Sequence, residues 1–225
     1  MSGQSNGRAP VGPTWLAELR SAAMVLAGHG WPVLRGTYRD EIGHWHGRSD
    51  AVSLRPIDDY WSTAWTLRPV EVANWWNAEP YGVLVACGHG VDCVELPGRH
   101  GQRMLDPLHR VGLHPPAMLT PLGTLVLFVR THTGPRPNLV SMSLRSAGSW
   151  VAVPPTGQDV SHGPDSAGGY RWVTDCSPGR VGWQLPELAP VCEVITATVR
   201  AGGSPETARP WASPAHRPDD TGASP

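Results

Sequence analysis

Few side chains in this sequence have both the type and the setting for chemistry. The first is Glu95, near the end of the apolar run Val91-Asp92-Cys93-Val94-Glu95-Leu96-Pro97. A carboxylate at a strand end is a hard oxygen ligand suited to Mg2+ or Mn2+, and it is equally an ordinary rim charge. Asp92 is three residues away, so on an extended strand it faces the opposite side unless a bulge intervenes. Arg145 lies in a second β-rich stretch, where a guanidinium can grip phosphate oxygens bidentately or form a surface salt bridge. His44-Trp45-His46 places two imidazoles at i and i+2, a spacing that can coordinate a metal, but its Gly-flanked polar context reads as a loop tip. Arg99, Arg103 and Arg110, with His100 and His109, would give one helix a basic face, for a template strand or simply for water.

These side chains need elements to hold them. Residues 14–27 read as a helix with Thr14 as N-cap and Gly28 and Gly30 as its stop. Residues 31–34 form a short strand. A polar, aromatic stretch at 35–64 contains a short hairpin and a strand piece at 50–56. Pro69 opens a helix through Trp75-Trp76. The runs 81–87 and 91–97 flank Gly88-His89-Gly90 and read as a hairpin, with Cys87 and Cys93 facing each other across it. A helix is expected at 99–112 and a buried strand at 125–129. Further strands are expected near 139–145, 149–153 and 170–173, and a closing helix or strand at 187–199. Without a regular βαβ alternation, the fold class is α+β.

Composition sets limits. Of 225 residues, 40% are hydrophobic and 16% charged, enough for a core of one domain. Net charge is -1, which argues against a constitutive, strongly basic DNA coat while allowing a local Arg-lined groove. All the basic side chains other than His are Arg, so a phosphate-binding Gly-x-x-x-x-Gly-Lys-Ser/Thr loop is impossible in this sequence. The four cysteines form no Cys-x-x-Cys pair and read as reduced core thiols of a cytoplasmic protein. No run is long enough to span a membrane. Residues 1–13 and 203–225, rich in Gly, Pro, Ser and Ala, read as disordered tails around a domain at 14–202. Most of the 11 Trp, including Trp31, Trp75, Trp150 and Trp172, sit in apolar patterns and read as packing rather than as base-stacking platforms.

Four features in order carry a resemblance: Gly-Trp-Pro-Val-Leu at 30–34, Ala64-Trp65-Thr66 with Trp75-Trp76 and Pro80, the paired runs at 82–96, and Gly148-Ser149-Trp150-Val151-Ala152-Val153-Pro154-Pro155-Thr156 with Tyr170-Arg171-Trp172. Over about residues 25–185 the chain resembles the N-terminal domain of bifunctional DNA primase–polymerases, especially actinobacterial members. The resemblance implies an archaeo-eukaryotic primase-like fold: an RRM-like mixed or antiparallel sheet flanked by helices, with acids on adjacent strands. It also implies a nucleotidyltransferase in DNA replication that uses Mg2+ or Mn2+ to activate a 3′-hydroxyl and neutralise the leaving pyrophosphate.

Against that pattern this sequence is sparse. The family's acidic-x-acidic pair matches Glu95 and Pro97. Its Thr-Pro-Ser-Gly-Gly-x-His stretch, whose His contacts the triphosphate, matches Thr120-Pro121-Leu122-Gly123-Thr124-Leu125-Val126. Its Asp-x-Arg matches Ser143-Leu144-Arg145, and its Thr-x-Asp-Pro matches Thr66-Leu67-Arg68-Pro69. Glu95 is thus left as the residual catalytic and metal position, Arg145 and Thr120 as nucleotide- or phosphate-binding positions, and Pro97, Val126 and Ser143 as substituted ones. A lone Glu leaves Mg2+ mostly hydrated. The expectation is a primase–polymerase-like domain with a degenerate metal site, which keeps at most weak binding of nucleotides or single-stranded DNA. One alternative is an active enzyme whose site is rearranged around Glu95 with Asp92 or His89. Another is a non-catalytic scaffold that docks on a separate replication protein through its Trp-rich surface.

Overall fold

The computed structural model describes residues 12–202 except 41, 78, 97–100, 136, 138, 140 and 158–168. Helix α1 (Gly12–Gly28) leads into β1 (Val33–Gly36), then the small hairpin β2 (Tyr38–Arg39) and β3 (Trp45–His46). After a long irregular stretch come α2 (Pro69–Trp75), β4 (Gly82–Ala86), β5 (Val91–Leu96), a 3-10 turn (Gln102–Met104) and α3 (Leu105–Arg110). Strands β6 (Ala117–Leu119), β7 (Leu125–Arg130), β8 (Ser143–Arg145), β9 (Trp150–Ala152) and β10 (Arg171–Trp172) follow, and α4 (Leu188–Gly202) ends the described chain.

Two sheets form the body. One has the order β1-β4-β9, the other β10-β6-β7-β5-β8, with every pairing antiparallel. The α+β class with antiparallel sheets flanked by helices is therefore as expected. The hairpin is not. β4 and β5 are joined by a tight turn but do not pair; β4 joins the three-stranded sheet and β5 the five-stranded one. β8 and β9 make the same crossing, since β8 pairs with β5 and β9 with β4.

The physical reason lies in the two turns. Gly88 and Gly90 adopt φ of +91° and +97°, the left-handed region that glycine enters without steric cost. A Cβ on Gly88 would lie 2.4 Å from Cα of Ala147, in the β8–β9 turn. The Cys87 N–H also donates to the Ser149 carbonyl at 2.9 Å. The two turns are thus pressed against each other where the sheets part. Asp92 anchors this crossing from a fully buried position. Its Oδ1 accepts from the Gly88 N–H at 2.8 Å and the Thr131 hydroxyl at 3.3 Å, and its Oδ2 accepts from the His132 N–H at 3.2 Å. A buried carboxylate is tolerated when hydrogen bonds replace its water.

Alternation along β5 divides the core. Val94 and Leu96 join Leu127, Leu108, Leu188 and Ile195 under α3 and α4. Val91 and Cys93 join Val126, Phe128 and Met118 on the other face, against α1, α2 and the three-stranded sheet. Each fully buried Leu, Val or Phe contributes about 1.5–3 kcal/mol, so the five-stranded sheet is held from both sides. The outer face of the three-stranded sheet carries Leu34, Leu84, Ala86 and Ala152 beneath Trp61, Trp65 and Trp150. Trp31, Trp75 and Trp172 pack as expected, with Trp31 against Phe128 at 4.8 Å and edge-on to Trp172 at 6.4 Å, and Trp76 is fully buried beside them. Trp183, at φ +62°, stacks on His29 at 3.7 Å and clasps the approach to α4 onto the end of α1.

Several expected boundaries move. Helix α1 begins at Gly12, so Thr14 lies inside it rather than capping it. The 50–56 strand piece forms only an isolated bridge, Gly36 to Pro56, because Pro56 has no N–H to extend a ladder. Strand β6 was not anticipated; three residues between Pro116 and Thr120 carry too short an alternation. The expected 99–112 helix shortens to a 3-10 turn and α3. The closing segment is helical. All four cysteines are buried and free, and contact with the Cys87 thiol, then burial, holds the Cys93 thiol well above its ordinary range. The expected tails, 1–13 and 203–225, fall outside the described residues apart from 12 and 13, which belong to α1. No helix among the described residues is long and apolar enough to cross a membrane.

Asp92→Ala leaves three donors without an acceptor and is expected to cost about 3 kcal/mol, read as a lower urea midpoint. Gly88→Ala meets both the Ala147 backbone and an unfavourable φ, with an expected cost of about 2–4 kcal/mol. An unchanged midpoint for either variant would remove the pinned crossing.

Candidate functional site

Strand register brings three of the positions matched by resemblance, Glu95, Val126 and Ser143, into one line. Glu95 lies opposite Val126 of β7 on one side and Ser143 of β8 on the other. Val126 in turn lies opposite Met118 of β6, and Met118 opposite Trp172 of β10. Directly opposed residues in antiparallel strands share a face. Trp172, Met118, Val126, Glu95 and Ser143 therefore form a single row across all five strands. Cys93 lies opposite Arg145 two residues along, on the same face.

Glu95 is the sole acid in this row. Its Oε1 accepts from Nε of Arg145 at 3.0 Å, and its Oε2 accepts from the Ser143 hydroxyl at 3.2 Å. The ion pair is partly shielded, with the Arg145 and Glu95 side chains 20% and 18% exposed. Both carboxylate oxygens thus have protein donors, and Arg145 has a further interaction beyond this pair. Tyr170 sits close enough that its phenol is raised above the ordinary range, first by burial and then by the Glu95 charge, with Arg145 opposing. Tyr170 packs against the inter-sheet core and the outer three-stranded cluster alike. In the sequence it stands only within a motif, with no local signal of a place near Glu95.

Thr120 lies in the turn between β6 and β7. Its hydroxyl oxygen accepts from the Thr124 N–H at 3.2 Å, closing that turn together with Gly123 at φ +78°. Pro97 lies outside the described residues, as do Arg99 and His100. Val126 is fully buried in the core, so this point of the row offers packing surface and no polar atom.

The structure keeps the remaining candidates apart from Glu95. Asp92 faces the opposite side of β5, as its spacing requires, and its oxygens serve the β4–β5 turn and the residues just after β7. His89 is exposed before the start of β5, with its ring 4.5 Å from that of Trp65. Arg103 and Arg110 are exposed, whereas His109 turns inward, 3.8 Å from the Cys176 sulfur and stacked on His114 at 4.8 Å. The helix therefore presents a thinner basic face than its sequence suggests. Thr66 is buried, donates to Glu71 at 2.7 Å and accepts from the Arg68 N–H at 3.1 Å, a local brace for the start of α2. His44 lies in the turn of the β2–β3 hairpin, as a loop-tip reading requires, whereas Trp45 and His46 form β3, with His46 opposite Tyr38.

Comparison with known proteins gives one finding of family. The family model described as "Bifunctional DNA primase/polymerase, N-terminal" matches residues 23–191, which run from the last turns of α1 through the first turn of α4 and contain the entire row. No curated protein matches the chain.

Proposed function

Because the chain belongs to the bifunctional DNA primase/polymerase family, we propose that it is a primase/polymerase-like domain whose one acid in the strand row, Glu95, is engaged by Arg145 and Ser143, and which binds nucleotide or single-stranded DNA weakly without polymerising it. The observation that supports this reading is the Glu95–Arg145 pair. In a two-metal mechanism, Mg2+ or Mn2+ would lower the pKa of the attacking hydroxyl and neutralise the leaving group. Such ions take several hard oxygen ligands from the protein. Here the row offers one carboxylate, flanked by Val126 and Ser143, and its negative charge is already compensated by a guanidinium. Two unit charges 4 Å apart interact by about 4 kcal/mol at an effective dielectric of 20, so a dication at that distance from Arg145 meets about twice that repulsion. The donor set among the described residues does not fit a metal pair, and no polymerising step is drawn through one.

What the arrangement supports is anion binding. Arg145 is the charged donor on this face best suited to phosphate, since guanidinium offers paired N–H groups in a fixed plane. Glu95 competes for it. A phosphate must displace a carboxylate whose oxygens are 3.0 Å and 3.2 Å from their donors, which makes binding weak and strongly salt-dependent. A separate replication protein is the partner that would turn such binding into replication chemistry.

This reading makes Glu95 an inhibitor of binding, whereas a metal ligand would be its promoter, so the sign of one substitution decides. With EDTA present, Glu95→Gln is expected to tighten labelled single-stranded DNA and nucleotide about 3–10-fold by fluorescence anisotropy, and Arg145→Ala to weaken both by a similar factor. Primer extension with Mn2+ is expected to match the Glu95→Gln background. Mn2+-dependent extension that Glu95→Gln abolishes would establish a working polymerase instead. Absence of binding at low salt in both parent and Glu95→Gln would favour a scaffold that uses only the shape.

A further inference from the structure

Where the two sheets part, the end of α1 and the β4–β5 turn bring bare backbone together. The Gly30 carbonyl lies 4.0 Å from where a Cβ of Gly90 would stand. A Cβ on Gly30 would meet nothing within 4 Å, and one on Gly28 only Pro69 of α2, at 3.7 Å. Glu95 is five residues along β5 from Gly90, about 16 Å at the usual rise of a strand, so this surface is separate from the strand row. An aromatic pair stands on either side of it. His29 lies parallel to the Trp183 ring at 3.7 Å, and His89 sits 4.5 Å from the ring of Trp65, tilted by 35°. Core packing accounts for Trp31 and Trp76, which are fully buried. It does not account for two exposed imidazoles laid over two half-buried indoles. Trp183 moreover holds its place at φ +62°, which a bulky side chain adopts only against strain.

Charge completes the surface. Arg68 directly precedes Pro69, beside Gly28, and Arg180 belongs to the turn that the Trp183 N–H closes on the Pro178 carbonyl at 2.8 Å. Both are exposed, and neither forms an ion pair among the described residues. The carboxylates nearby are engaged: Asp92 lies buried beneath the turn, Glu187 pairs with Arg130 at 2.9 Å, and Glu71 accepts from Thr66 at 2.7 Å.

We propose that this crossing is a second binding surface, for single-stranded nucleic acid: unpaired bases stack on His29 and His89 while the sugar–phosphate chain passes over the glycine backbone between Arg68 and Arg180. Stacking asks only for flat rings with a free face, because every base has one, and a positively charged track holds the strand between them. Glycine lets a ligand approach the main chain closely, and guanidinium groups are suited to phosphate. A duplex keeps its base faces covered and gains only the charge. The inference extends the nucleic-acid reading given above but uses no residue of the Glu95 row, so the two can fail separately.

The test is fluorescence anisotropy of the full chain, in EDTA, with a labelled oligothymidylate of about 12 nucleotides, within the site size usual for such surfaces. The double variant His29→Ala/His89→Ala is expected to weaken the oligonucleotide about 5–30-fold while binding deoxynucleoside triphosphate as the parent does. His29→Tyr/His89→Tyr keeps a flat ring at each place and is expected to stay within about 2-fold of the parent. Arg68→Ala/Arg180→Ala is expected to lower the slope of log affinity against log salt by about 1.4, the share of two phosphate contacts on a single strand. A duplex of the same length should bind more weakly than the single strand. Oligonucleotide affinity unaltered by the alanine variants would overturn the crossing as a binding surface; Arg145→Ala weakening the oligonucleotide in that case would leave the Glu95 row as its site. Equal losses in the tyrosine and alanine variants would also overturn it, as would a parent that takes nucleotide but no oligonucleotide at low salt.

Discussion

A buried carboxylate with three donors organises this fold. Asp92 gathers the Gly88 N–H, the Thr131 hydroxyl and the His132 N–H onto two oxygens with no exposure to water. That arrangement bends the chain between β4 and β5 and also fastens the end of β7, which pairs with β5. Two strands that would otherwise close on each other are sent into different sheets. Everything downstream assumes that split: the partner crossing of β8 and β9, the inter-sheet core, and the row in which Glu95 stands.

The row has two kinds of surroundings. On its β6–β7 side it is continuous with buried apolar packing, through Met118 and Val126. On its β8 side it meets Ser143 and Arg145, where the sheet ends. Polar chemistry is therefore confined to the β8 edge, and there it takes the form of an ion pair braced by a hydroxyl. Tyr170, arriving from a distant part of the sequence, packs against both apolar clusters, near enough for the Glu95 charge to raise its phenol. A carboxylate in such company is electrostatically satisfied by its own neighbours.

Much of this was legible in sequence, for identifiable reasons. Apolar runs placed β4, β5 and β7 to within a residue or two, Pro69 marked the start of α2, and the separation of Asp92 from Glu95 followed from strand periodicity. The positions matched by resemblance, Val126, Glu95 and Ser143, fell into direct register. What could not be read was pairing. A Gly-containing turn between two apolar runs signals a hairpin by local rules, and those rules hold no information about a second turn 60 residues away pressing on Gly88. The Glu95–Arg145 contact was hidden for the same reason: Arg145 was marked for phosphate, and only the β5–β8 register shows that a protein carboxylate reaches it first. Thr120 shows a third limit, since its hydroxyl had a turn to close before any ligand came into view.

The contact between Gly88 and Ala147 also bears on how such a chain can diversify. With the two turns within van der Waals reach of each other, neither can gain a residue without prying the sheets apart at the point where they are joined. Length changes must therefore collect elsewhere, in connections such as the β2–β3 hairpin or the segment between β7 and β8. Variation among relatives would then alter what surrounds the strand row, while the row itself stays fixed to the crossing.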